Sequence, residues 1–291
     1  MGNVKYMVKS HIPHFLVPYI IRIQYYKAMG KKCNLRHPTT YNEKIQWSKI
    51  YRDNRKLSNY VDKIEVRKWV KNVIGEEYLI PMIGKDTNCV SEIDFNSLPE
   101  RFVIKANHGC GMNLIVNDKN KLDIEKTKKI LNSWLKHNMA YHSYEMQYMY
   151  IEPRLYIEKN LIKGDEDLPD YKFFCFDGKV YCLYTMINYV YDHSKGKLAF
   201  FDRDYNLLPY YREGYKPIDD QPNKPKNYEK MVEIAEKLSK GFSHVRVDLY
   251  NLNGKIFFGE MTFSTCSGFG KFVPEEFDTI LGEQWNLNSG L

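Results

Sequence analysis

The segment from His244 to Phe263 constrains the fold of this 291-residue chain more than any other stretch. Apolar and aromatic residues stand on both sides of the turn signal Leu252-Asn253-Gly254, which predicts a β-hairpin. A three-residue loop with Gly254 in the left-handed conformation would pair Asn251 with Lys255. The segment therefore predicts two antiparallel strands in a defined register.

This register places Arg246 opposite Glu260 and Asp248 opposite Phe258. Arg246, Asp248, Glu260 and Thr262 would then share one face of the hairpin. Charged side chains within an apolar hairpin are costly unless something pairs them, and a divalent metal ion is one such partner. The alternative is an Arg246–Glu260 ion pair on a solvated face. The hairpin alone does not decide between them.

A second candidate region runs from Arg101 to Val116 and predicts a strand, a glycine-bearing loop and a strand. Lys105 interrupts the apolar run just before the loop at residues 107–111. Backbone N–H groups of such a loop can cradle phosphates, and a neighbouring lysine adds a point charge. The loop lacks the Gly-Lys-Ser/Thr ending of a Walker loop. Taken alone, the pattern favours the simpler interpretation, a lysine on a solvated edge strand next to an ordinary turn.

A strand-like run ends at Leu161, and an acidic loop follows it at residues 165–167. The third candidate region comes directly after this loop. Residues 170–184 predict a hairpin around the two-residue turn Asp177-Gly178. Its strands are apolar on both faces, which indicates a covered, central position in a sheet. Lys172 within such a strand needs an anionic partner. A buried carboxylate and a nucleotide phosphate both remain open.

Taken together, these elements resemble the ATP-grasp superfamily, and within it the TupA-like ATP-grasp family of bacterial surface-polysaccharide and teichuronopeptide synthesis. Each short string is modestly specific, but their common order along nearly the whole chain is highly specific. The strings that carry the resemblance are Pro38–Trp47, Val61–Arg67, Phe102–Gly109, Leu168–Gly178, Phe201–Pro209, Val245–Tyr250 and Gly259–Phe263.

The resemblance implies an α+β ATP-grasp fold in which two α+β subdomains clamp ATP, preceded by an N-terminal helical segment. Residues 1–90 would form the helical region, residues 91–156 the small subdomain and residues 157–291 the large subdomain with the metal-binding hairpin. The helical patterns lie at residues 42–51, 59–73, 123–136 and 228–240. Asp123 would cap the third of these helices.

The resemblance also implies roles for individual residues. Lys105 would contact the α- and β-phosphates of ATP, and Lys172 would contact phosphate. The loop His108, Gly109, Cys110, Gly111, Met112 and Asn113 would close over the β- and γ-phosphates. The backbone of Glu158, Lys159, Asn160 and Leu161 would form the hinge that reads adenine, and Asp165 would be the acidic ribose ligand.

For the metal hairpin, the resemblance implies that Asp248 and Glu260 hold Mg²⁺. Many ATP-grasp enzymes carry Asn where this chain has Thr262, and a hydroxyl is a weaker oxygen ligand than an amide carbonyl. The number of Mg²⁺ ions, one or two, therefore stays open. Arg246 would stabilise the negative charge of the transferring phosphoryl group or the acyl intermediate, so Arg246 and Lys172 are the predicted catalytic residues.

These parts imply a carboxylate–amine ligase that forms an amide through an acyl phosphate. Its partners would be a small-molecule or polysaccharide-precursor carboxylate, such as a uronic acid, and an amino-acid or amine donor. The alternative is a glycosyltransferase of polysaccharide synthesis, for which Asp202-Arg203-Asp204 has the spacing of an Asp-x-Asp metal motif. A non-catalytic ATP-binding protein is a third alternative, and the paired Asp248 and Glu260 argue against it.

Composition narrows the setting of the reaction. The net charge of +7 is modest, and its apparent spread over lysine-rich helices gives no basis for nucleic-acid binding. Six cysteines without a Cys-x-x-Cys spacing fit free thiols in a reducing cytoplasm.

The apolar stretch from Ile12 to Ile23 is broken by Pro13, Pro18 and Arg22 and is too short to span a bilayer. No cleavage site of a secretory signal follows it. The stretch would either lie on a membrane surface, at the inner face of the membrane, or pack on the protein as a helix. Packing is the favoured alternative.

Overall fold

A computed structural model describes residues 11–137, 139–162, 168–187, 196–218 and 221–291. The chain divides into two compact units, Met1–Asn54 with Asp167–Leu291 and Arg55–Glu166. The predicted boundaries at residues 90 and 156 do not coincide with these units. Residues 82 and 87 bridge to the strand Leu155–Lys159 and so join the second unit. The assignment of functional subdomains stays a prediction.

The helices and strands are numbered in chain order over the described residues. The α-helices are α1 (Val17–Met29), α2 (Tyr41–Tyr51), α3 (Ser58–Val61), α4 (Val66–Val73), α5 (Ile124–Leu135), α6 (Ala140–Ser143), α7 (Tyr228–Ser239) and α8 (Glu276–Gln284). The strands are β1 (Phe102–Ala106), β2 (Asn113–Val116), β3 (Leu155–Lys159), β4 (Asp170–Phe176), β5 (Lys179–Ile187), β6 (Lys197–Asp202), β7 (Tyr211–Arg212), β8 (Lys216–Pro217), β9 (His244–Leu252), β10 (Lys255–Thr262) and β11 (Phe272–Val273). Short 3-10 turns lie at His14–Leu16, Asn54–Leu57, Glu76–Tyr78, Val90–Glu92, Lys119–Lys121, Met146–Tyr148 and Thr265–Gly268.

The Arg55–Glu166 unit is built on a three-stranded antiparallel sheet in the order β2-β1-β3. Alternate residues of β1, Phe102 and Ile104, are fully buried with Leu131 of α5, which is the core of this unit. The Asp123 side chain accepts a hydrogen bond from the Lys126 N–H, so the predicted cap of α5 is confirmed.

The predicted single helix over residues 59–73 is wrong. Two shorter helices, α3 and α4, lie there and are separated at Asp62. The Asp62 carboxylate accepts hydrogen bonds from the backbone N–H groups of Ile64 and Glu65, at 2.8 and 3.1 Å. An aspartate that bonds to nearby backbone in this way competes with continued helix and favours a new start.

The other unit contains a six-stranded sheet in the order β10-β9-β4-β5-β6-β8. The pairs are antiparallel except β6 with β8. Helix α7 covers one face, where Tyr228 lies against Phe173 of β4. Tyr41 of α2 and Phe277 of α8 join the core on the other face, with Phe174 of β4. The predicted central, covered position of this hairpin is therefore confirmed.

Candidate functional site

Four polar side chains lie side by side across four neighbouring strands. In the backbone register Glu260 of β10 faces Asp248 of β9, Asp248 faces Lys172 of β4, and Lys172 faces Tyr184 of β5. Directly paired residues of an antiparallel sheet point to the same face. The four groups therefore form one polar row on the face that also carries Phe174.

The predicted register of the β9–β10 hairpin is wrong, whereas the predicted shared face is confirmed. The turn has two residues rather than three, and Lys255 pairs with Leu252. A bulge between Phe258 and Glu260 then brings Glu260 opposite Asp248 and Thr262 opposite Arg246. The turn and the bulge each shift the pairing by one residue. The total shift of two leaves all four side chains on one face.

Arg246 is the centre of the hydrogen bonds in this row. Its Nε and Nη2 atoms donate to the two carboxylate oxygens of Asp248, both at 2.7 Å. The same Nη2 lies 3.1 Å from Glu260 Oε1 and 3.0 Å from Thr262 Oγ1. The Arg246–Glu260 ion pair of the alternative interpretation is thus present. Its arginine is buried, whereas 35% of the Glu260 side chain is exposed, so the pair lies at the edge of a buried cluster rather than on a fully solvated face.

Lys172 has two carboxylate partners, one on its own strand and one on a neighbouring strand. Its Nζ lies 2.5 Å from Asp170 Oδ2 on the same strand and 2.5 Å from Asp248 Oδ2 across the sheet. The buried-carboxylate alternative for Lys172 is therefore realised in this structure, and a phosphate contact stays a prediction. Asp170 was missed as a site residue. Its position two residues before Lys172, on the same strand face, is the signal that could have revealed it.

The electrostatics of the cluster favour bound protons. Burial disfavours the charged form of Lys172, but Asp170 and Asp248 outweigh it and raise the pKa of Lys172 well above its ordinary value. Burial raises the pKa of Asp248 to about 6, against the opposing pull of Arg246 and Lys172. For Lys172 the two neighbouring carboxylates outweigh burial, whereas for Asp248 burial is the largest cause and outweighs the two cations.

The donor set fits a divalent cation. The cluster has more negative than positive groups, and Asp170 Oδ1 is buried without a hydrogen-bond partner in the described residues. No group of three or more His, Cys, Asp or Glu side chains forms a metal site within those residues. Mg²⁺ is usually held by one or two carboxylates together with substrate phosphates and water. Asp248 and Glu260, with Thr262 beside them, therefore stay the predicted Mg²⁺ ligands.

Tyr184 joins a second arginine to the row. Arg246 Nη1 lies 3.5 Å from the Tyr184 hydroxyl oxygen, and Arg212 Nη1 lies 3.4 Å from the same oxygen. Arg212, on β7, forms no ion pair with a carboxylate in the part of the chain that the structure describes. A guanidinium group has five N–H donors, so each arginine keeps donors for an anion near this hydroxyl. The sequence analysis missed both Tyr184 and Arg212.

In the Arg55–Glu166 unit, Lys105 pairs with Glu158. Lys105 Nζ lies 2.7 Å from Glu158 Oε2, and Arg67 Nη1 lies 3.0 Å from Glu158 Oε1. Glu158 is buried, while about a fifth of the Lys105 side chain is exposed, at 19%. Glu158 is thus a charge partner of Lys105, a role that the hinge prediction did not anticipate.

The predicted phosphate loop is anchored at its base and exposed at its middle. His108 is buried, with Nε2 3.0 Å from the Trp134 carbonyl oxygen, and burial lowers its pKa. Lys63 donates to the Gly109 carbonyl. Cys110 and Gly111 are exposed, as is Asn113, whereas Met112 is buried. His108 therefore holds the loop in place, and phosphate contact stays a prediction for the exposed residues.

The predicted hinge begins inside a strand. Glu158 and Lys159 belong to β3, and the Lys159 N–H donates to the Pro81 carbonyl at 2.9 Å. The Asn160 side chain accepts from the Ile162 N–H and donates to Asn117. Leu161 follows without regular structure. Asp165 lies outside the described residues, and adenine and ribose contacts stay predictions.

The Asp-x-Asp spacing has a structural explanation. Asp202 Oδ1 accepts hydrogen bonds from the backbone N–H groups of Asp204 and Asn206, at 2.9 and 2.8 Å, and Oδ2 accepts from the Asn206 side chain. This is an Asx-type turn that ends β6. Asp202 is therefore occupied in holding the turn.

A family model described as TupA-like ATPgrasp matches residues 43–286 of the chain. No curated protein sequence matches the chain. Among solved structures, the D-alanine–D-alanine ligase from Bacillus anthracis complexed with ATP is similar, with 17% identity, 71% of this chain and 55% of that chain covered, and a TM-score of 0.39. D-cycloserine synthetase DcsG has 13% identity, with 78% and 70% covered and a TM-score of 0.43. The ATP-grasp ligase PsnB, complexed with minimal precursor, Mg and ADP, has 12% identity, with 78% and 60% covered and a TM-score of 0.38. The chain thus spans little more than half the length of the first of these proteins.

Proposed function

Because this chain belongs to the TupA-like ATP-grasp family, we propose that it is an ATP-dependent carboxylate–amine ligase that forms an amide through an acyl phosphate. The family match confirms the resemblance seen in the sequence and, with it, the α+β ATP-grasp fold. The observation that carries the proposal is the polar row of Glu260, Asp248, Lys172 and Tyr184 with Arg246 beside it, all of them buried except the partly exposed Glu260. The proposal locates phosphoryl transfer at this concentration of charge.

The reaction begins when a carboxylate oxygen of the substrate attacks the γ-phosphorus of ATP and ADP leaves. The acyl phosphate then reacts with an amine at its carbonyl carbon, and phosphate leaves as the C–N bond forms. Neither step requires a covalent bond to the protein, so positioning and charge stabilisation are the main contributions. Mg²⁺ held by Asp248 and Glu260 would neutralise charge on the phosphates.

Arg246 and Lys172 supply the fixed positive charge of the proposed site. Arg246 is oriented by two hydrogen bonds to Asp248, and its Nη1 lies 3.5 Å from the Tyr184 hydroxyl oxygen with a second N–H that can meet developing negative charge. Arg212 approaches the same hydroxyl from its own strand. Two neighbouring guanidinium groups repel each other, and an anion near Tyr184 relieves this repulsion. We place the substrate carboxylate, and then its acyl phosphate, at this position.

For the remaining roles the proposal follows the family. The carboxylate substrate is a small molecule or polysaccharide precursor carrying a uronic acid, and an amino acid is the amine donor. The product belongs to bacterial surface polysaccharide, such as capsule or teichuronopeptide, and the reaction takes place in the cytoplasm, at the inner face of the membrane. ATP binding also draws on Lys105 and the loop of residues 108–113. A reaction with ATP, an amino-acid mixture and uronic-acid sugars should release ADP and phosphate and form an amide.

Arg246 tests whether the site stabilises a transition state. Charge that develops only during transfer is stabilised without tighter binding of ATP. Replacing Arg246→Ala should therefore lower turnover by about 10²–10³-fold, as for loss of one oxyanion donor, with little change in ATP affinity. Arg246→Lys should restore only part of the lost turnover, since a point charge cannot reproduce the bidentate contact with Asp248. Steady-state ADP release and separate ATP titrations measure the two effects.

Arg203→Ala is a matched control, because Arg203 is an exposed arginine whose side chain is 47% exposed. It should leave both quantities unchanged. Thermal unfolding of each variant separates loss of catalysis from loss of folding. A large fall in ATP affinity at unchanged turnover would place Arg246 in ground-state binding. No effect on either quantity would leave it as a structural ion-pair partner of Asp248 and Glu260.

The glycosyltransferase alternative makes a different prediction about nucleotides. A ligase should be stabilised against heat by Mg-ATP, whereas a glycosyltransferase should be stabilised by UDP-sugars. The engagement of Asp202 in its own turn favours the ligase. Stabilisation by UDP-sugars alone would overturn the proposed function.

A further inference from the structure

Helix α1 is apolar on two opposite sides. Val17, Ile21 and Tyr25 recur every fourth residue and are buried, with Ile21 and Tyr25 fully so. The Tyr25 ring lies 6.4 Å from that of Phe269, between centroids. The favoured prediction, that this segment packs on the protein, is therefore met by one face of the helix.

The opposite side carries exposed apolar side chains. Phe15 of the preceding turn is 71% exposed, and Tyr19, Ile23 and Tyr26 of α1 are 60%, 57% and 59% exposed. At 3.6 residues per turn, this stripe lies roughly 150° around the helix axis from the buried face. Large apolar groups in a contiguous exposed stripe mark an interaction surface. Among the described residues, no helix is both long and apolar enough to cross a membrane.

The net positive charge of the protein comes from the part of the sequence that contains this stripe, contrary to the spread expected from the lysine-rich helices. Residues 1–42 contain no Asp or Glu, and they contain seven basic residues: Lys5, Lys9, Arg22, Lys27, Lys31, Lys32 and Arg36. Seven is also the net charge of the whole chain, so residues 43–291 are neutral overall. Arg22 and Lys27 are exposed and lie at the two borders of the stripe.

We propose that the stripe of Phe15, Tyr19, Ile23 and Tyr26 binds the surface of an anionic lipid bilayer, with α1 parallel to the membrane. Tyr and Phe suit the boundary between headgroups and acyl chains, and basic residues at the borders suit anionic headgroups. A second copy of the chain fits less well. Pairing the stripe with itself would bring two such basic segments together. The proposal does not depend on the ligase function.

Vesicle sedimentation of the full chain tests this proposal without any activity assay. Binding is compared between vesicles of phosphatidylcholine alone and of phosphatidylcholine with phosphatidylglycerol. We expect binding to the anionic vesicles that weakens at high salt, since screening reduces the attraction. The double variant Arg22→Gln/Lys27→Gln should weaken it by about 30-fold, from roughly one kcal/mol for each basic residue at an anionic surface.

The double variant Tyr19→Ser/Ile23→Ser should weaken binding by at least about tenfold, because it removes the apolar part of the contact. The two replaced side chains are exposed, so the variant should keep the fold. Circular dichroism checks this. Tyr150→Ser is the matched control, as a 58% exposed tyrosine outside the stripe, and it should bind like wild type.

Two results would overturn the proposal. One is the absence of binding to anionic vesicles beyond the level seen with phosphatidylcholine alone. The other is equal binding by wild type and the Tyr19→Ser/Ile23→Ser variant. Light scattering completes the test. Concentration-dependent dimerisation that this variant abolishes, in the absence of vesicle binding, would assign the stripe to a second copy of the chain.

Discussion

Asp248 and Glu260 have the same proposed role and different structural surroundings, so replacing each one separates metal binding from folding. Asp248 is buried and accepts hydrogen bonds from Arg246 and Lys172. Glu260 is paired with the same arginine, but 35% of its side chain is exposed. Asp248→Asn and Glu260→Gln each remove one negative charge at nearly constant volume. Both should abolish Mg²⁺-dependent ATP turnover.

The effect on stability should differ between the two variants. Removing one partner of a buried ion pair leaves an uncompensated charge and costs about 3–5 kcal/mol of unfolding free energy. For Asp248→Asn this corresponds to a fall in Tm of roughly 6–20 °C in a protein of this size. A screened, partly exposed pair contributes up to about 1 kcal/mol, so Glu260→Gln should unfold within a few degrees of wild type.

Differential scanning calorimetry measures the stability, and ADP release at saturating Mg²⁺ measures the turnover. Asp204→Asn is a matched control, because Asp204 is an aspartate whose side chain is 77% exposed. It should leave both quantities unchanged. If either Asp248→Asn or Glu260→Gln kept near-normal turnover, the metal assignment would be refuted. If Asp248→Asn were no less stable than Glu260→Gln, the reasoning from the buried cluster would be wrong.

Three further predictions concern single residues. Lys105→Met should weaken Mg-ATP binding by roughly 1.5–3 kcal/mol, as a charge-assisted hydrogen bond is lost, and unchanged affinity in calorimetry would leave Lys105 as a structural partner of Glu158. Gly259→Ala should destabilise the protein by about 1–3 kcal/mol and lower turnover, because a Cβ there would lie 3.0 Å from the Asp248 carbonyl oxygen. An unchanged Tm with full activity would show that the bulge accepts a side chain. Burial lowers the pKa of His244 to about 3. The unfolded chain binds a proton near the ordinary value of 6.5 and the folded chain does not, so stability should fall as the pH falls from about 6.5 toward 3, by up to about 1.4 kcal/mol per pH unit. Urea unfolding of wild type and His244→Gln should show this slope flattened in the variant, and parallel slopes would contradict the assignment.

Much of the local structure could be predicted because its causes are local. The Asp177-Gly178 turn forms the two-residue hairpin expected of it, with Phe176 paired with Lys179. Asp123 caps α5, and the Lys105 strand pairs with the strand after the glycine loop. The order of short motifs predicted the family as well. Such features depend on turn chemistry, capping and alternation over a few residues, which a single sequence displays directly.

The neighbours of each site residue were decided by the tertiary structure. Extending the register from each hairpin turn would place Lys172 opposite Leu183 and Asp248 opposite Gly259. One bulge in each hairpin shifts the pairing by one residue, so that Lys172 meets Tyr184 and Asp248 meets Glu260. A shift of one residue exchanges the two faces of a strand, and the local sequence pattern does not predict it.

The charge pairing of Lys172 with Asp248 has the same origin. It depends on β4 lying beside β9, a contact between residues 76 positions apart in the chain. The sequence by itself predicted which residue types the candidate site contains: a lysine, an arginine and carboxylates set in apolar strands. Their arrangement into one buried cluster required the sheet, because strand order and bulges are selected by packing of the whole unit rather than by any short segment.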